Sequence, residues 1–188
     1  MIKKFVMLLL CACFLLASCA SEPLDEKGLR VLFSEKNHED VLYWCCDDFD
    51  MDGEMEAFAI TGYREEYDAV GDTRGSVWYI SRSEYRQLSS SEEGTVLRNP
   101  AIINHGDVKH FVINHSPIYP PSSYAFIWQV KEGVPNVVYE NFRAVFYDDD
   151  ALMSVFTIFD TQRRWTHYRL YWNADTNEYD ETFVKEEP

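Results

Sequence analysis

Short apolar runs separated by turn residues dominate the chain after about residue 40. Tyr, Phe, Trp, Val and Ile cluster in these runs, and the turns between them include MDGE, VGDTRG, NHGD and KEGVPN. Short β-rich runs divided by such turns indicate an all-β domain. The predicted strands are 41–46, 56–63, 76–81, 100–104, 108–114, 123–131, 135–140, 143–147, 152–159, 164–172 and 178–184.

The helical content predicted from the pattern is small. GLRVLFSEKNHED is compatible with a short helix, and SRSEYRQLSSSEEG predicts one helical turn followed by a polar loop. Long amphipathic periods and strand–helix–strand alternation are both missing from the sequence. We therefore expect an antiparallel meander, arranged either as a sandwich or as a few propeller-like blades.

The first nineteen residues have the pattern of a secretory signal. Lys3 and Lys4 precede an apolar run at 5–17, which is shorter than the ~20 residues needed to cross a bilayer. The run ends in LASC, which resembles the bacterial lipobox, where a lipid is attached to the cysteine and the peptide is cut before it. The resemblance implies a signal peptide at 1–18, acyl chains such as palmitate on Cys19, a tether at 19–28 and one β-rich domain at 29–188. The alternative is an ordinary secretory signal with an incidental Cys19.

The charge of the chain limits its partners. Without residues 1–18, 15 basic and 32 acidic side chains remain, which gives a formal charge of −17. Such a surface repels nucleic acid and anionic lipid headgroups. Membrane contact is therefore expected through lipid on Cys19, and several acyl chains are needed because one alone anchors weakly. The expected location is the extracytoplasmic side of the cell membrane.

A dense acidic stretch is the main candidate for a metal site. From Asp48 the sequence reads DFDMDGEME, with carboxylates at positions 1, 3 and 5, glycine at 6 and glutamate at 9. Calcium takes six to eight oxygen ligands, so a tight loop must supply several of them. Gly53 permits the sharp backbone turn that this requires. The predicted ligands are Asp48, Asp50, Asp52, the Glu54 backbone carbonyl and Glu56.

The residues around this stretch distinguish between two kinds of calcium loop. An EF-hand needs its closing glutamate at position 12, where this chain has Ala59 within the strand-like EAFAIT. The preceding VLYWCC is also strand-like. The stretch therefore resembles the Asp-x-Asp-x-Asp-Gly-x-x-Asp/Glu loops of FG-GAP and VCBS-type repeats in integrin-like β-propellers, with Glu56 at the ninth position and one clear copy. The resemblance implies one structural Ca²⁺; the alternative is a solvated acidic turn.

Two further comparisons concern the rest of the chain. GSVWYISRSEYRQL, KHFVINHS and SSYAFIWQVKEGVPNVVYEN resemble segments of small bacterial surface lipoproteins with a single DxDGxxEAF loop. This implies the fold and a cell-envelope location, and it implies nothing about activity. NADTNEYDE, residues 173–181, has oxygen-bearing residues at calcium-loop spacing but Glu178 in the glycine position. It is predicted to be a hairpin turn, with a degenerate second site as the alternative.

The sequence supports no catalytic residue. His110 and His115 have an odd separation, so on one strand they face opposite sides. The acidic run 148–150 is predicted to be a solvated turn, and Ser122 and Ser123 lack a glycine elbow. Cys45 and Cys46 are adjacent, which indicates one buried and one half-exposed thiol; the alternative is a strained vicinal disulfide.

These observations lead to two functional hypotheses. The first is a lipid-anchored binding or interaction domain stabilised by calcium, with an extracellular protein or glycan as its ligand. The second is a secreted hydrolase that acts on glycans or another extracellular polymer. A glycoside hydrolase would need a cleft with two carboxylates ~5–9.5 Å apart.

Overall fold

The computed structural model describes residues 24–64, 73–91, 95–117, 123–148, 151–158 and 164–187, and it confirms the predicted all-β class. Within these residues one helix is followed by twelve strands, and every strand pairing is antiparallel. The elements are α1 (Glu26–Lys36), β1 (Val41–Asp47), β2 (Glu56–Arg64), β3 (Thr73–Ile80), β4 (Tyr85–Ser90), β5 (Thr95–His105), β6 (Val108–Pro117), β7 (Tyr124–Lys131), β8 (Val134–Asn141), β9 (Ala144–Asp148), β10 (Ala151–Ile158), β11 (Arg164–Asn173) and β12 (Glu178–Glu187). Over the described part of the chain, helix length and hydropathy fall short of what a membrane span requires.

The eight-stranded sheet is divided into two halves by the pairing of β3. One edge of β3 pairs with β2, and its other edge pairs with β4 along 76–80. Within the part of the chain that the structure describes, the register between β3 and β5 is the pair Thr73–Leu97. We call β1–β4 the first half-sheet and β5–β8 the second half-sheet. Strands β9–β12 form a separate small sheet in the order β12-β11-β10-β9.

The two half-sheets pack face to face around an aromatic core. Phe58 of β2 stacks on Phe111 of β6, with ring centroids 4.5 Å apart and an interplanar angle of 13°. These strands are not neighbours in the sheet order, so the contact requires the sheet to fold over on itself. Tyr79, Ile113 and Trp128 complete this core with other buried side chains.

The remaining faces are covered by α1 and by the small sheet. Leu29 and Phe33 of α1 pack on the outer face of the first half-sheet. Leu152 and Leu170 of the small sheet pack against the second half-sheet, around Ile127. The second half-sheet is thus buried on both faces, and the layers form a sandwich-like stack. Of the two predicted arrangements, the structure therefore matches the sandwich rather than the propeller-like blades.

Several segments differ from the prediction. The prediction of a helical turn at 81–94 was wrong for Tyr85–Ser90, which forms β4 because its backbone pairs with β3 and Tyr85 stacks on Trp78 at 5.1 Å. Strand β5 begins at Thr95, five residues before the predicted strand. Helix α1 begins within the segment predicted to be a tether, where Asp25 caps it by accepting a 2.8 Å hydrogen bond from the Gly28 N–H.

Asn114 joins the second half-sheet to the small sheet. It lies on β6 and is 1% exposed. Its Nδ2 donates to the Val145 carbonyl oxygen at 2.9 Å, and its Oδ1 accepts from the Val145 N–H at 2.7 Å. The side chain thereby satisfies both backbone groups of one residue on β9.

Replacing Asn114 should destabilise the fold. Asn114→Ala leaves a buried N–H and a buried carbonyl of Val145 without partners, at ~1–3 kcal/mol for each group. We expect urea unfolding to show a loss of about 2–4 kcal/mol. The control is Asn136→Ala, because Asn136 is exposed and its side chain donates to the carbonyl of Val134, two positions away in the same strand. Equal stability of both variants would contradict this role for Asn114.

His110 is a second buried polar group between the same two layers. It is fully buried, and its Nδ1 lies 2.6 Å from the Tyr179 hydroxyl oxygen. The rings of Trp172 and His105 lie 4.3 Å and 5.4 Å away. Burial, together with the neighbouring His105, lowers the pKa of His110 to about 3. The imidazole is therefore neutral in the folded protein at neutral pH.

This burial makes stability dependent on pH. The unfolded chain takes up a proton at His110 near pH 6.5, whereas the folded chain does so only near pH 3, so stability is lost as pH falls through that interval. At pH 5 the loss from this residue is about 2 kcal/mol. Urea titrations measure the free energy of unfolding at pH 7 and at pH 5. In His110→Gln, the difference between these two free energies should be smaller by the contribution of His110. His38→Gln, at an exposed position, should retain it; an unchanged pH dependence in His110→Gln would show that His110 is not the source.

Candidate metal centre

The acidic stretch forms the connection between β1 and β2. The ladder between these strands ends at the pair Asp47–Glu56, so the loop comprises residues 48–55. Ligand oxygens of Asp48, Asp50 and Glu56 lie within 4.8 Å of one another. Among the described residues, these three carboxylates form the cluster of acidic, histidine or cysteine side chains that is compact enough to hold a metal ion.

Hydrogen bonds from the backbone fix the carboxylates of the loop. The two oxygens of Asp48 accept from the N–H groups of Asp52 and Gly53 at 3.1 and 3.0 Å. Glu56 accepts from the Phe49 N–H at 2.9 Å. Gly53 has φ +90°, a conformation that favours glycine. The backbone of the loop therefore curves around the carboxylates of Asp48 and Glu56 and donates hydrogen bonds to them.

Phe49 anchors this loop in the aromatic core. Its side chain is 1% exposed and meets Phe58 edge to face, with ring centroids 5.0 Å apart. Met51, two positions later, is 59% exposed. Phe58 and Ile60 of the following strand are also buried, at 0% and 2% exposed.

The predicted ligands do not all lie together. Asp48, Asp50 and Glu56 share the cluster, whereas the Asp52 carboxylate accepts from the Glu54 N–H at 2.8 Å and is outside the three-residue group. The Glu54 carboxylate forms an ion pair with Arg82 at 3.3 Å. Ligation by Asp52 and by the Glu54 carbonyl stays a prediction.

The electrostatics of the cluster favour a bound cation. Glu56 is 1% exposed. Its pKa is raised to about 7, mainly by burial and also by Asp50, Asp52 and Asp48, while the hydrogen bond from the Phe49 N–H acts in the opposite direction. A divalent cation would offset both the repulsion among the carboxylates and the cost of burying one of them. A donor set made only of oxygens suits a hard cation such as calcium or magnesium.

The loop also contacts the second half-sheet. Asp50 Oδ2 accepts from the Gly133 N–H at 2.8 Å, across 83 positions of sequence. The Tyr79 hydroxyl donates to the Gly133 carbonyl at 2.9 Å. Lys109 at the start of β6 pairs with Asp47 at 2.6 Å. The sequence identified Gly133 only as part of a turn, and nothing in the local pattern indicated that the turn would meet the acidic loop.

A cavity of about 500 Å³ opens beside the loop. Its lining includes Asp50, Asp52, Asp107 and Glu132. Asp50 also belongs to the group of carboxylates that could hold a metal ion. A cation bound there would therefore contact a side chain that lines the cavity. The alternative hypothesis of a hydrolase needs two free carboxylates across a cleft, and it stays a prediction.

The other candidate residues lie in a hairpin turn and at partly buried positions of β1. Asn173 Oδ1 accepts from the N–H groups of Asp175 and Thr176, at 3.1 and 3.3 Å, as a hairpin turn requires. Cys45 and Cys46 are free thiols, and burial raises their pKa values to about 12 and 11.

The histidine prediction is confirmed. His110 faces the small sheet, while His115 contacts Phe126 on the opposite face of the second half-sheet. Cys19, Ser122, Asp149 and Asp150 lie outside the described residues.

Comparisons of the chain with protein-family models, curated proteins and solved structures give no match. The resemblance of the loop to FG-GAP and VCBS-type repeats therefore stays a prediction from its residues. The interpretation of the site rests on its own geometry and chemistry.

Proposed function

We propose that this protein is a lipid-anchored, extracytoplasmic binding domain in which one Ca²⁺ stabilises the loop between β1 and β2. The observation that carries the calcium proposal is the convergence of Asp48, Asp50 and Glu56 within 4.8 Å. The link from Asp50 to Gly133 supports a structural role, because the ion would rigidify a loop that joins the two half-sheets. The ligand of the domain would be an extracellular protein or glycan.

Calcium is preferred over other cations on physical grounds. Extracellular modules bind calcium with Kd values of ~10⁻⁴–10⁻³ M, and the ion accepts irregular arrangements of six to eight oxygens. Magnesium demands a near-octahedral set of ligands and loses its water reluctantly. A loop with three fixed carboxylates and further oxygens from backbone or water fits the first ion better.

The proposed anchor rests on the sequence LASC and on charge. The chain carries 32 acidic and 17 basic side chains, so its surface would be repelled by an anionic bilayer. Lipid on Cys19 would provide the membrane contact that the surface does not. Helix α1 begins seven residues after Cys19, which keeps the domain close to the membrane.

Calcium should raise the melting temperature. Binding to the folded state at ten times Kd contributes about 1.4 kcal/mol, which corresponds to a rise of a few degrees for a domain of this size. Asp50→Asn keeps an acceptor for the Gly133 N–H but removes one ligand charge, so most of the rise should disappear. Thermal melts with millimolar calcium and with chelator measure the effect.

Two controls accompany these melts. Asp175→Asn removes the same charge from the other acidic turn and should leave the calcium-dependent rise intact. Magnesium at the same concentration should give a smaller rise. Wild-type melts that are identical with calcium and with chelator, together with no heat of binding, would identify the loop as a solvated acidic turn.

Removal of Cys19 should release the protein from the membrane. Cys19→Ala deletes the only thiol that the lipobox resemblance assigns to the acyl chains, and fractionation of expressing bacterial cells should move the protein out of the membrane pellet. Cys13→Ala changes the same residue type within the apolar run and should leave the protein anchored. Cys19→Ala protein that stays in the pellet would exclude the anchor.

A further inference from the structure

Helix α1 has an apolar groove on the side that faces away from the first half-sheet. The groove has a volume of about 420 Å³, and its lining includes Leu24, Gly28 and Val31. Because an α-helix has about 3.6 residues per turn, these positions fall on one side of α1. Leu29 and Phe33 fall on the opposite side, where they pack on the first half-sheet. The groove is therefore a second apolar surface of the same helix.

The side chains of the groove keep this surface apolar and open. Val31 is 52% exposed, although it is a valine in a short helix. A Cβ atom at Gly28 would lie 2.6 Å from Leu24 Cδ2, so the missing side chain leaves room for Leu24 to fold across the first turn. Glycine is an unfavourable residue within a helix. Its presence here shapes the groove rather than the helix.

The groove lies close to the proposed lipid attachment along the chain. Leu24 follows Cys19 by five residues. An extended chain spans at most ~3.6 Å per residue, so Leu24 stays within about 18 Å of Cys19. When the acyl chains of Cys19 are in a bilayer, this short connection holds the groove beside the membrane surface. A tethered contact of this kind benefits from a high effective concentration.

The charge next to the anchor indicates which bilayer the groove fits. Residues 22–36 carry three basic and four acidic side chains, whereas the whole chain carries 17 and 32. Anionic lipids repel an acidic protein, but a zwitterionic bilayer has no net surface charge and exerts little repulsion on a nearly neutral segment. Lys27 lines the groove and is exposed. Its ammonium group can reach phosphate groups while its methylene stem stays on the apolar surface.

We propose that this groove docks on a zwitterionic lipid bilayer beside the lipid on Cys19. Leu24 and Val31 enter the interface, and α1 lies along the membrane plane. The inference rests on the proposed lipid anchor and adds the orientation of the domain. The layers then follow one another away from the membrane in the order α1, first half-sheet, second half-sheet and small sheet. The contact supplements the acyl chains, since stable anchoring takes more than one signal.

The test places a nitroxide spin label in the groove. Val31→Cys is introduced into the full lipidated chain, which is reconstituted into phosphatidylcholine vesicles. Burial raises the pKa values of Cys45 and Cys46 to about 12 and 11, so at pH 7 a thiol-directed label should react mainly with the new exposed cysteine. The chain without the substitution, treated in the same way, gives the background from these thiols.

Spin-label saturation measures collisions with oxygen, which is enriched in lipid, and with a water-soluble nickel chelate. The reference label is placed by Val184→Cys on β12, in the small sheet, at a position that is 47% exposed. The label at position 31 should collide more with oxygen and less with the chelate than the label at position 184. A label at position 31 that meets the chelate as freely as the reference label would overturn the proposal.

A charge in the groove should undo the docking. The label is moved to Lys27→Cys, and Val31→Glu is added. Burial of a carboxylate in the interface is unfavourable, so collisions of this label with the chelate should rise to the level of the reference label. Val184→Glu makes the same change at a similarly exposed valine and should leave the label at position 27 in lipid. Because Val31 and Val184 are exposed, both variants should melt at the wild-type temperature, and these melts check folding.

Other occupants of the groove give different results. A label at position 31 that is shielded from oxygen and chelate alike would show that protein covers the groove, and this would overturn the proposal. Spectral broadening by a second label would then identify a second copy of the chain, and a spectrum without broadening would identify another segment, such as the apolar run 5–17.

Failure of this inference is separable from failure of the proposed function. Mass spectrometry of the purified chain reports whether Cys19 carries lipid. A chain without lipid would overturn the anchor and the docking together. A lipidated chain whose groove label stays in water would overturn the docking alone and keep the anchor.

Discussion

Burial of the second half-sheet on both faces constrains every other layer of the protein. Phe111 and Trp128 face the first half-sheet, while Val112 and Ile127 face the small sheet. Because successive side chains of a strand point to opposite faces, a strand between two cores must be apolar at nearly every position. Polar groups at such positions must find partners within the protein. Asn114 does so by bonding to both backbone groups of Val145 on the neighbouring layer.

The acidic loop connects the two half-sheets through side-chain contacts. Over the described residues, the register between β3 and β5 is the pair Thr73–Leu97. At the loop, Asp50 reaches Gly133, and Asp47 reaches Lys109. These contacts cross from the first half-sheet to the second. A cation at the loop would therefore act on the packing of two layers as well as on one hairpin.

Negative charge gathers in the cavity beside the acidic loop. Its lining includes Asp50, Asp52, Asp107 and Glu132. A cavity with such a lining suits cations.

The sequence by itself determined the β class, most strand positions and the candidate metal loop. These features are local: alternation and turn residues act over a few positions, and Asp48, Asp50 and Glu56 lie within nine residues of one another. Only the tertiary structure decided that the polar segment at Tyr85 becomes a strand and that Gly133 meets Asp50. It also decided that the ladder between β10 and β11 ends at the pair Met153–Arg169. These outcomes depend on which strand edges and faces meet, and that choice is made by pairing and burial across long stretches of chain, which no local pattern contains.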